Sequence, residues 1–387
     1  VDLSFSPEDV AFRETVRAFI DVNLATETRR KVEEGRELAK SDIVNWQKAL
    51  NAVGWATPSW PQSAGGPGWS PVQRHIFMEA LYEGCAPEPL SFNVSMIGPV
   101  LIQYGSEEQK SRFLSAKASH DIWWAQGFSE PGAGSDLAAL STSAVRDGET
   151  YIVNGQKLWQ GMAHHADWMF TLVRTDPGAA KKQGGISFLL IDLKSPGVTI
   201  RPIITIDGRH EVNEVFLDNV QVPVTDRIGD ENNGWTYAKY LLSNERTGIA
   251  RIGMTRRLLV RARAALEGPD FGLTDRDRLT LSGEAEAIEA ELKALEITQL
   301  RILAAQKVGQ ADPRSSILKI KGTSLRQAAS ELLMRATGTA GYAFALEGED
   351  EAPFEAVPNY LTLRAASIYG GATEVQKNIV ASGVLGL

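Results

Sequence analysis

The sequence predicts an α+β chain in three parts: helical, then β, then helical again. Two changes of hydrophobic period carry this. Up to about residue 121 apolar residues recur at three- and four-residue spacing; from Ile122 they alternate or cluster in short runs, and after Pro223 the helical spacing returns and persists. A third observation is the punctuation between those changes, where Gly, Pro, Asn and Asp separate the short runs as they do in a small β barrel or sandwich. The divisions expected are a helical domain at 1–121, a β domain at 122–226 and a helical bundle at 227–387.

The first helix announces itself. Ser6 suits an N-cap, Pro7 suits the first helical position, and Phe12, Val16, Phe19 and Ile20 repeat along one face. A second helix is expected over Ser41–Val53, a loop over Pro58–Pro71, and further helices over Val72–Tyr82 and Ser95–Tyr104. Strands are expected at Trp123–Phe128, Tyr151–Trp159, Trp168–Arg174, Ile186–Leu193, Val198–Ile203 and Glu214–Val222, with Asn154-Gly155 turning a hairpin inside the second of them. In the last third, Ile288, Leu292, Leu295 and Ile302 mark one long amphipathic helix, and the acidic stretch Glu347–Pro358 reads as a surface loop.

Composition removes several classes of function. At 387 residues, 43% hydrophobic and 23% charged, the chain can bury a large core. A net charge of -8 without a basic block speaks against nucleic acid as a partner. No apolar run approaches a membrane span, and no signal-peptide core opens the chain, so the expected location is cytoplasmic. The one cysteine, Cys85, fits a reducing compartment and reads as a buried small hydrophobe. His164 and His165 are adjacent, but no HxxxH or HExxH spacing exists, so no metal is expected.

The chain is organised around residues 126–161. Ser129-Glu130-Pro131-Gly132-Ala133-Gly134-Ser135-Asp136 forms a turn whose glycines let backbone N–H groups approach a ligand, and Ser129 and Ser135 add hydroxyl donors. Asn154-Gly155-Gln156-Lys157-Leu158-Trp159 follows. These motifs in this order resemble the acyl-CoA dehydrogenase family. So do Tyr-Gly-Ser-Glu-Glu-Gln-Lys at 104–110, Val-Phe-Leu-Asp-Asn-Val-Gln-Val-Pro at 215–223 and Ile-Tyr-Gly-Gly-Ala-Thr-Glu-Val-Gln-Lys-Asn at 368–378. Within the family the chain is similar to large subunits of the bacterial pimeloyl-CoA dehydrogenase type.

The resemblance implies a three-domain fold holding FAD, an acyl-CoA substrate, and oxidation of the thioester to trans-2-enoyl-CoA. It implies FAD contacts at Gln126, Phe128, Ser129, Gly134, Ser135, Trp159, Gly161, Thr373 and Glu374, with Trp159 against the flavin ring. Ser135 and Arg246 are expected to touch substrate. Many members carry their catalytic base in a Tyr-Glu-Gly-Thr sequence; here that place holds Gly370. A subset carries the base earlier, and Glu245 falls on that position, followed by Arg246. The backbone N–H of Gly370 remains able to donate to the thioester carbonyl.

Partners follow from the same resemblance: an electron-transferring flavoprotein, and a homo-oligomer or a hetero-oligomer with a related chain. The segment 271–278 lacks the family's Arg-x-x-Phe-Gly pattern, and the glycine-rich turn at 336–341 is altered. The absent Arg-x-x-Phe-Gly pattern leaves a partner-dependent or non-catalytic subunit open; a flavin oxidase of the same fold is a third reading, which the short chain disfavours.

Overall fold

The computed structural model describes residues 5–118, 121–244, 248–268, 272–305, 312–342 and 356–387. In chain order its helices are α1 (Pro7–Asn23), α2 (Thr26–Glu34), α3 (Lys40–Ala52), α4 (Pro71–Glu83), α5 (Gly98–Tyr104), α6 (Glu107–Ala118), α7 (Gly234–Asn244), α8 (Ile252–Glu267), α9 (Asp275–Ala305), α10 (Ser315–Ala336), α11 (Ala356–Thr362) and α12 (Thr373–Val380). Its strands are β1 (Trp124–Gly127), β2 (Ser143–Asp147), β3 (Thr150–Gly161), β4 (Trp168–Arg174), β5 (Ile186–Asp192), β6 (Val198–Ile203) and β7 (Val212–Pro223). Contacts gather the chain into two compact units. A helical unit takes the chain up to Trp46, Trp69–Glu88 and the part beyond residue 245; a β unit takes Gln47–Gly68 and the chain from Pro89 through α7.

In the helical unit Ser6 caps α1 by accepting from the Asp9 N–H at 3.1 Å, and Val16 and Ile20 turn into the core. Ser70 and Gln73 form a reciprocal capping box on α4. The C-terminal helices α8, α9 and α10 close on Leu259, Ala262, Leu292, Leu295, Leu325 and Ala329. The long helix expected from Ile288 to Ile302 is α9, with Leu292, Leu295 and Ile302 buried. Of the acidic stretch expected to be a loop, 347–355 lies outside the described residues, while Pro358 is buried in α11.

The β unit is a seven-stranded sheet in two halves. One half pairs β1 parallel to β4 and β5 antiparallel to β4; the other runs β2-β3-β7-β6, antiparallel throughout. A single pair, Ser143 with Arg174, joins them among the described residues. Their inner faces share a core that includes Tyr151, Val153, Met169, Leu189, Val215 and Val220, the double-layer arrangement expected of this β domain. The outer face of the β1-β4-β5 half presents Trp124, Phe170 and Phe188 to α5 and α7.

The expected hairpin at Asn154-Gly155 is a correction. Residues 150–161 form one continuous strand, and the hairpin turns at Gly148 between β2 and β3, with φ +59°. Asn154 and Gly155 sit at a register shift against β7. There Asn154 Oδ1 accepts from the Asn219 N–H at 2.8 Å, and any Cβ on Gly155 would strike Thr142 within 2.4 Å. The glycine is required by close approach at a bulge, which produces the same sequence as a turn.

Candidate functional site

Two loops carry the predicted site residues, one in each unit. In the β unit, Ser129–Ser135 leaves β1 and is stitched to the end of β3. Glu130 and Ala133 exchange both backbone hydrogen bonds, at 2.9 and 3.1 Å, closing the turn. The Ser129 carbonyl accepts from the Leu158 N–H at 2.9 Å and from Gln160 Nε2 at 3.1 Å.

Beneath these contacts lies a buried ion pair. Lys157 Nζ donates to Glu130 Oε1 at 2.8 Å, to the Leu172 carbonyl at 2.7 Å and to the Phe128 carbonyl at 3.3 Å. Glu130 also accepts from the Ser141 N–H at 2.7 Å, its hydroxyl at 2.8 Å and the Thr142 N–H at 3.0 Å. Burial pushes the Glu130 carboxyl up, but Lys157 and these donors prevail and bring it down to about 2. Burial brings the Lys157 ammonium down to about 8. Both stay ionised at neutral pH. Neither was expected as a site residue, though a signal existed: by simple alternation along β3, Lys157 shares the inward face with Tyr151 and Val153.

The clamp holds Trp159 in an unusual state. Its φ is +67°, the left-handed region that side chains avoid at a cost of roughly 1–2 kcal/mol. It lies at a second register shift between β3 and β7, out of the ladder, with 56% of its surface exposed. Such a bulge re-aims a side chain, and a large flat ring kept exposed in strained backbone is the mark of a functional position.

The other predicted residues here take different places. Phe128 turns its ring into the core, edge-on to Phe170 and Phe188 at 5.8 and 6.0 Å. Gln126 lies in β1 opposite Phe170, and Gly161 ends β3 against Phe92. Gly134 and Ser135 are exposed. Gly132 and Gly134 have no positive φ, and a Cβ on either would meet nothing within 4 Å, so neither glycine is demanded by the chain's own packing.

In the helical unit, α10 places Lys319 under the turn before α12. Lys319 Nζ donates to the carbonyls of Ala366 and Tyr369, both at 3.0 Å, and lies 5.0 Å from the Tyr369 ring centre. Gly370 and Gly371 follow with φ +64° and +91°. Thr373 opens α12, with Glu374 exposed in its first turn. Glu245 and Arg246 lie outside the described residues.

Elsewhere, Cys85 is half-buried with φ +51°, and burial pushes its thiol up, away from a nucleophilic thiolate. His164 stacks on His210, with ring centres 4.0 Å apart and Asn213 bonded to both, yet no group of side chains suited to a metal ion occurs among the described residues. No helix among them is long and apolar enough to cross a membrane.

Three family models match in order: the acyl-CoA dehydrogenase N-terminal domain over residues 6–121, the middle domain over 125–220 and the C-terminal domain over 232–385. The chain belongs to the acyl-CoA dehydrogenase family. Its class of activity is that of the family, oxidoreduction at a CH–CH bond of an acyl-CoA. It is 35% identical over 390 residues to acyl-CoA dehydrogenase IpdE1 of Mycobacterium tuberculosis, covering 97% of both chains, and 33% identical over 341 residues to acyl-CoA dehydrogenase FadE29 of the same organism, covering 88% and 87%. Among solved structures it is similar to the Tcur3481-Tcur3483 steroid ACAD, with TM-score 0.86, 28% identity and coverage of 100% and 99%. It is also similar to the ChsE4-ChsE5 complex from Mycobacterium tuberculosis, with TM-score 0.83, 29% identity and the same coverage.

The donors present suit the family's FAD. An exposed indole offers a face to a flat ring, and the Ser129–Ser135 loop offers hydroxyl and N–H donors on an open side.

Proposed function

We propose that this chain desaturates an acyl-CoA thioester to trans-2-enoyl-CoA, with Glu245 removing the α-proton. The observation that carries the reading is Gly370. The residue standing where many family members hold their base is a glycine in left-handed backbone, and a Cβ there would lie 3.5 Å from Lys319 Nζ. A carboxylate has to come from elsewhere, and Glu245 stands where a subset of the family carries it. When bound, FAD supplies the acceptor for the hydride lost from the β-carbon. The chain's own residues do the rest. Glu245 takes the proton, and the Gly370 N–H donates to the thioester oxygen as negative charge develops there. Arg246 shapes the site around the base, with Ser135 toward the substrate. Trp159, Ser129, Gly134, Ser135, Gly161, Gln126, Thr373, Glu374 and the Phe128 backbone hold the cofactor.

The two-chain composition named for the similar solved complexes supports a hetero-oligomer with a related chain. The Tcur3481-Tcur3483 complex is named a steroid ACAD, which supports a steroid side-chain acyl group as substrate. An electron-transferring flavoprotein would reoxidise the flavin.

Glu245→Gln tests the reading. Anaerobic addition of acyl-CoA to FAD-loaded enzyme should bleach the flavin band in the parent and do so roughly 10²–10⁴-fold more slowly in the variant, with FAD still bound. Near-parental reduction by the variant would remove Glu245 from the role. No bleaching of the parent by any acyl-CoA, alone or with its partner chain, would return the subunit reading.

A further inference from the structure

Side chains of α10 hold the segment that leads into Gly370 by its carbonyls. Gln327 Nε2 donates to the Leu363 carbonyl at 2.9 Å. Arg364 Nη2 donates back to the Gln327 carbonyl at 3.2 Å and to Ser330 Oγ at 3.1 Å. The short helical turn 363–367 then ends, and the Ile368 and Tyr369 N–H groups both return to the Ala365 carbonyl, at 2.9 and 3.0 Å. Carbonyls at a helix end lack the partner that the next turn would give. Lys319, only 5% exposed, takes two of them, donating from Nζ to Ala366 and Tyr369 at 3.0 Å each.

The second of these bonds fixes more than a carbonyl. The Tyr369 C=O and the Gly370 N–H belong to one peptide group, which is planar and trans, so the two bonds point in opposite directions. With the oxygen turned to Lys319, the Gly370 N–H points away from it. Gly370 is exposed, and its N–H donates to no acceptor among the described residues. An untethered peptide here could turn over in place. That motion changes ψ at Tyr369 and φ at Gly370, and glycine accepts either sign of φ. Gly370 at φ +64° and Gly371 at φ +91° therefore leave the turn soft, and the buried ammonium selects one orientation of it.

We propose that Lys319 is a positioning residue for the reaction: it aims the Gly370 N–H at the thioester oxygen by gripping the other end of the same peptide. This rests on the proposed function, which gives that N–H to the oxygen. A charge-assisted bond to the carbonyl also polarises the peptide and strengthens its N–H as a donor. A donor already in place lowers the barrier more than it tightens binding of the ground state, because the charge it meets develops during the reaction. Gln327 and Arg364 keep the rest of the segment on α10, so replacing Lys319 frees the 369–370 peptide first.

The test reads the thioester carbonyl itself. FAD-loaded protein, with its partner chain if one is required, is saturated with a redox-inert 3-thia-acyl-CoA isotopically labelled at that carbonyl, and the carbonyl stretch is followed by isotope-edited infrared spectroscopy. In the parent the band should lie below its position in water. In folded Lys319→Met it should move back toward the water position. Flavin reduction by an oxidisable acyl-CoA should slow roughly 10- to 100-fold in that variant, with analogue affinity within a few-fold of the parent. Lys319→Arg, which can still donate to a carbonyl, should keep most of the shift. A parental band and rate in Lys319→Met with FAD retained would leave Lys319 a structural residue and overturn the proposal. If Lys319→Met fails to fold, the neutral and shorter Lys319→Gln decides: a weakened shift supports the proposal and a parental one overturns it. Glu245→Gln should keep the parental band while losing flavin reduction, which separates this inference from the assignment of the base. A parent with no shift would strike the Gly370 N–H from its role and the proposal with it.

Discussion

Glu130 in the β unit is a buried carboxylate and Glu79 in the helical unit a partly buried one, each 2.8 Å from a cation, yet they shift in opposite directions. Glu130 has Lys157 and three further donors from Ser141 and Thr142, and falls to about 2. Burial pushes Glu79 up to about 7, because its cation, Arg256, is shared with Glu296 at 3.2 Å and its other donor is a long N–H from Gly253 at 3.3 Å. A salt bridge drawn at the same distance thus means different things. What decides is how many donors each oxygen owns and whether the cation has a second claimant.

The largest expected effect tests the β-unit pair. Lys157→Met leaves Glu130 buried without its cation and should cost about 3–5 kcal/mol in chemical denaturation. Adding Glu130→Gln should recover part of that loss. An undamaged Lys157→Met protein would break the comparison.

The pH profile is next in size, and the two carboxylates pull it from opposite ends. Glu130 is depressed, so its contribution is present above its ordinary 4.5 and is lost as pH falls toward 2. Glu79 is raised, so its contribution is full below 4.5 and is lost as pH rises through about 7. Thermal unfolding between pH 5 and 8 should show a decline on the order of 1–3 kcal/mol that Glu79→Gln flattens. A variant with the parental slope would mean that Glu79 is not its source.

The smallest effect asks what the β-unit clamp is for. Trp159→Gly should relieve the left-handed strain and raise the stability of the FAD-free protein by about 1 kcal/mol. The same variant should retain FAD poorly through gel filtration. Lower stability together with unchanged FAD retention would deny Trp159 both properties.

Much of the architecture was legible because burial leaves a period. The strands Trp168–Arg174 and Val198–Ile203 were readable to the residue, and Ser6-Pro7 fixed the start of α1. What escaped reading carries little apolar signal. The helix α2 is Thr-Glu-Thr-Arg-Arg-Lys-Val-Glu-Glu with only Thr28 buried, held by ion pairs such as Lys31–Asp42. The helix α6 begins at a Ser106–Gln109 exchange of side-chain and backbone bonds, which a motif reading passed over. For the site, motif order pointed to Trp159 and the 129–135 loop as candidates. Nothing local linked Glu130 to Lys157, since their meeting depends on the path of β3 beside β1.

The paired left-handed glycines at 370 and 371 bear on descent. At either position a replacement must enter backbone unfavourable to it, and at 371 a Cβ would also press on Gln376 Nε2. A lineage with this turn therefore stands behind a valley. Placing an acid at 370 puts a side chain into left-handed backbone beside Lys319 Nζ and lowers stability. Two adjacent glycines make the present arrangement easy to inherit and hard to leave.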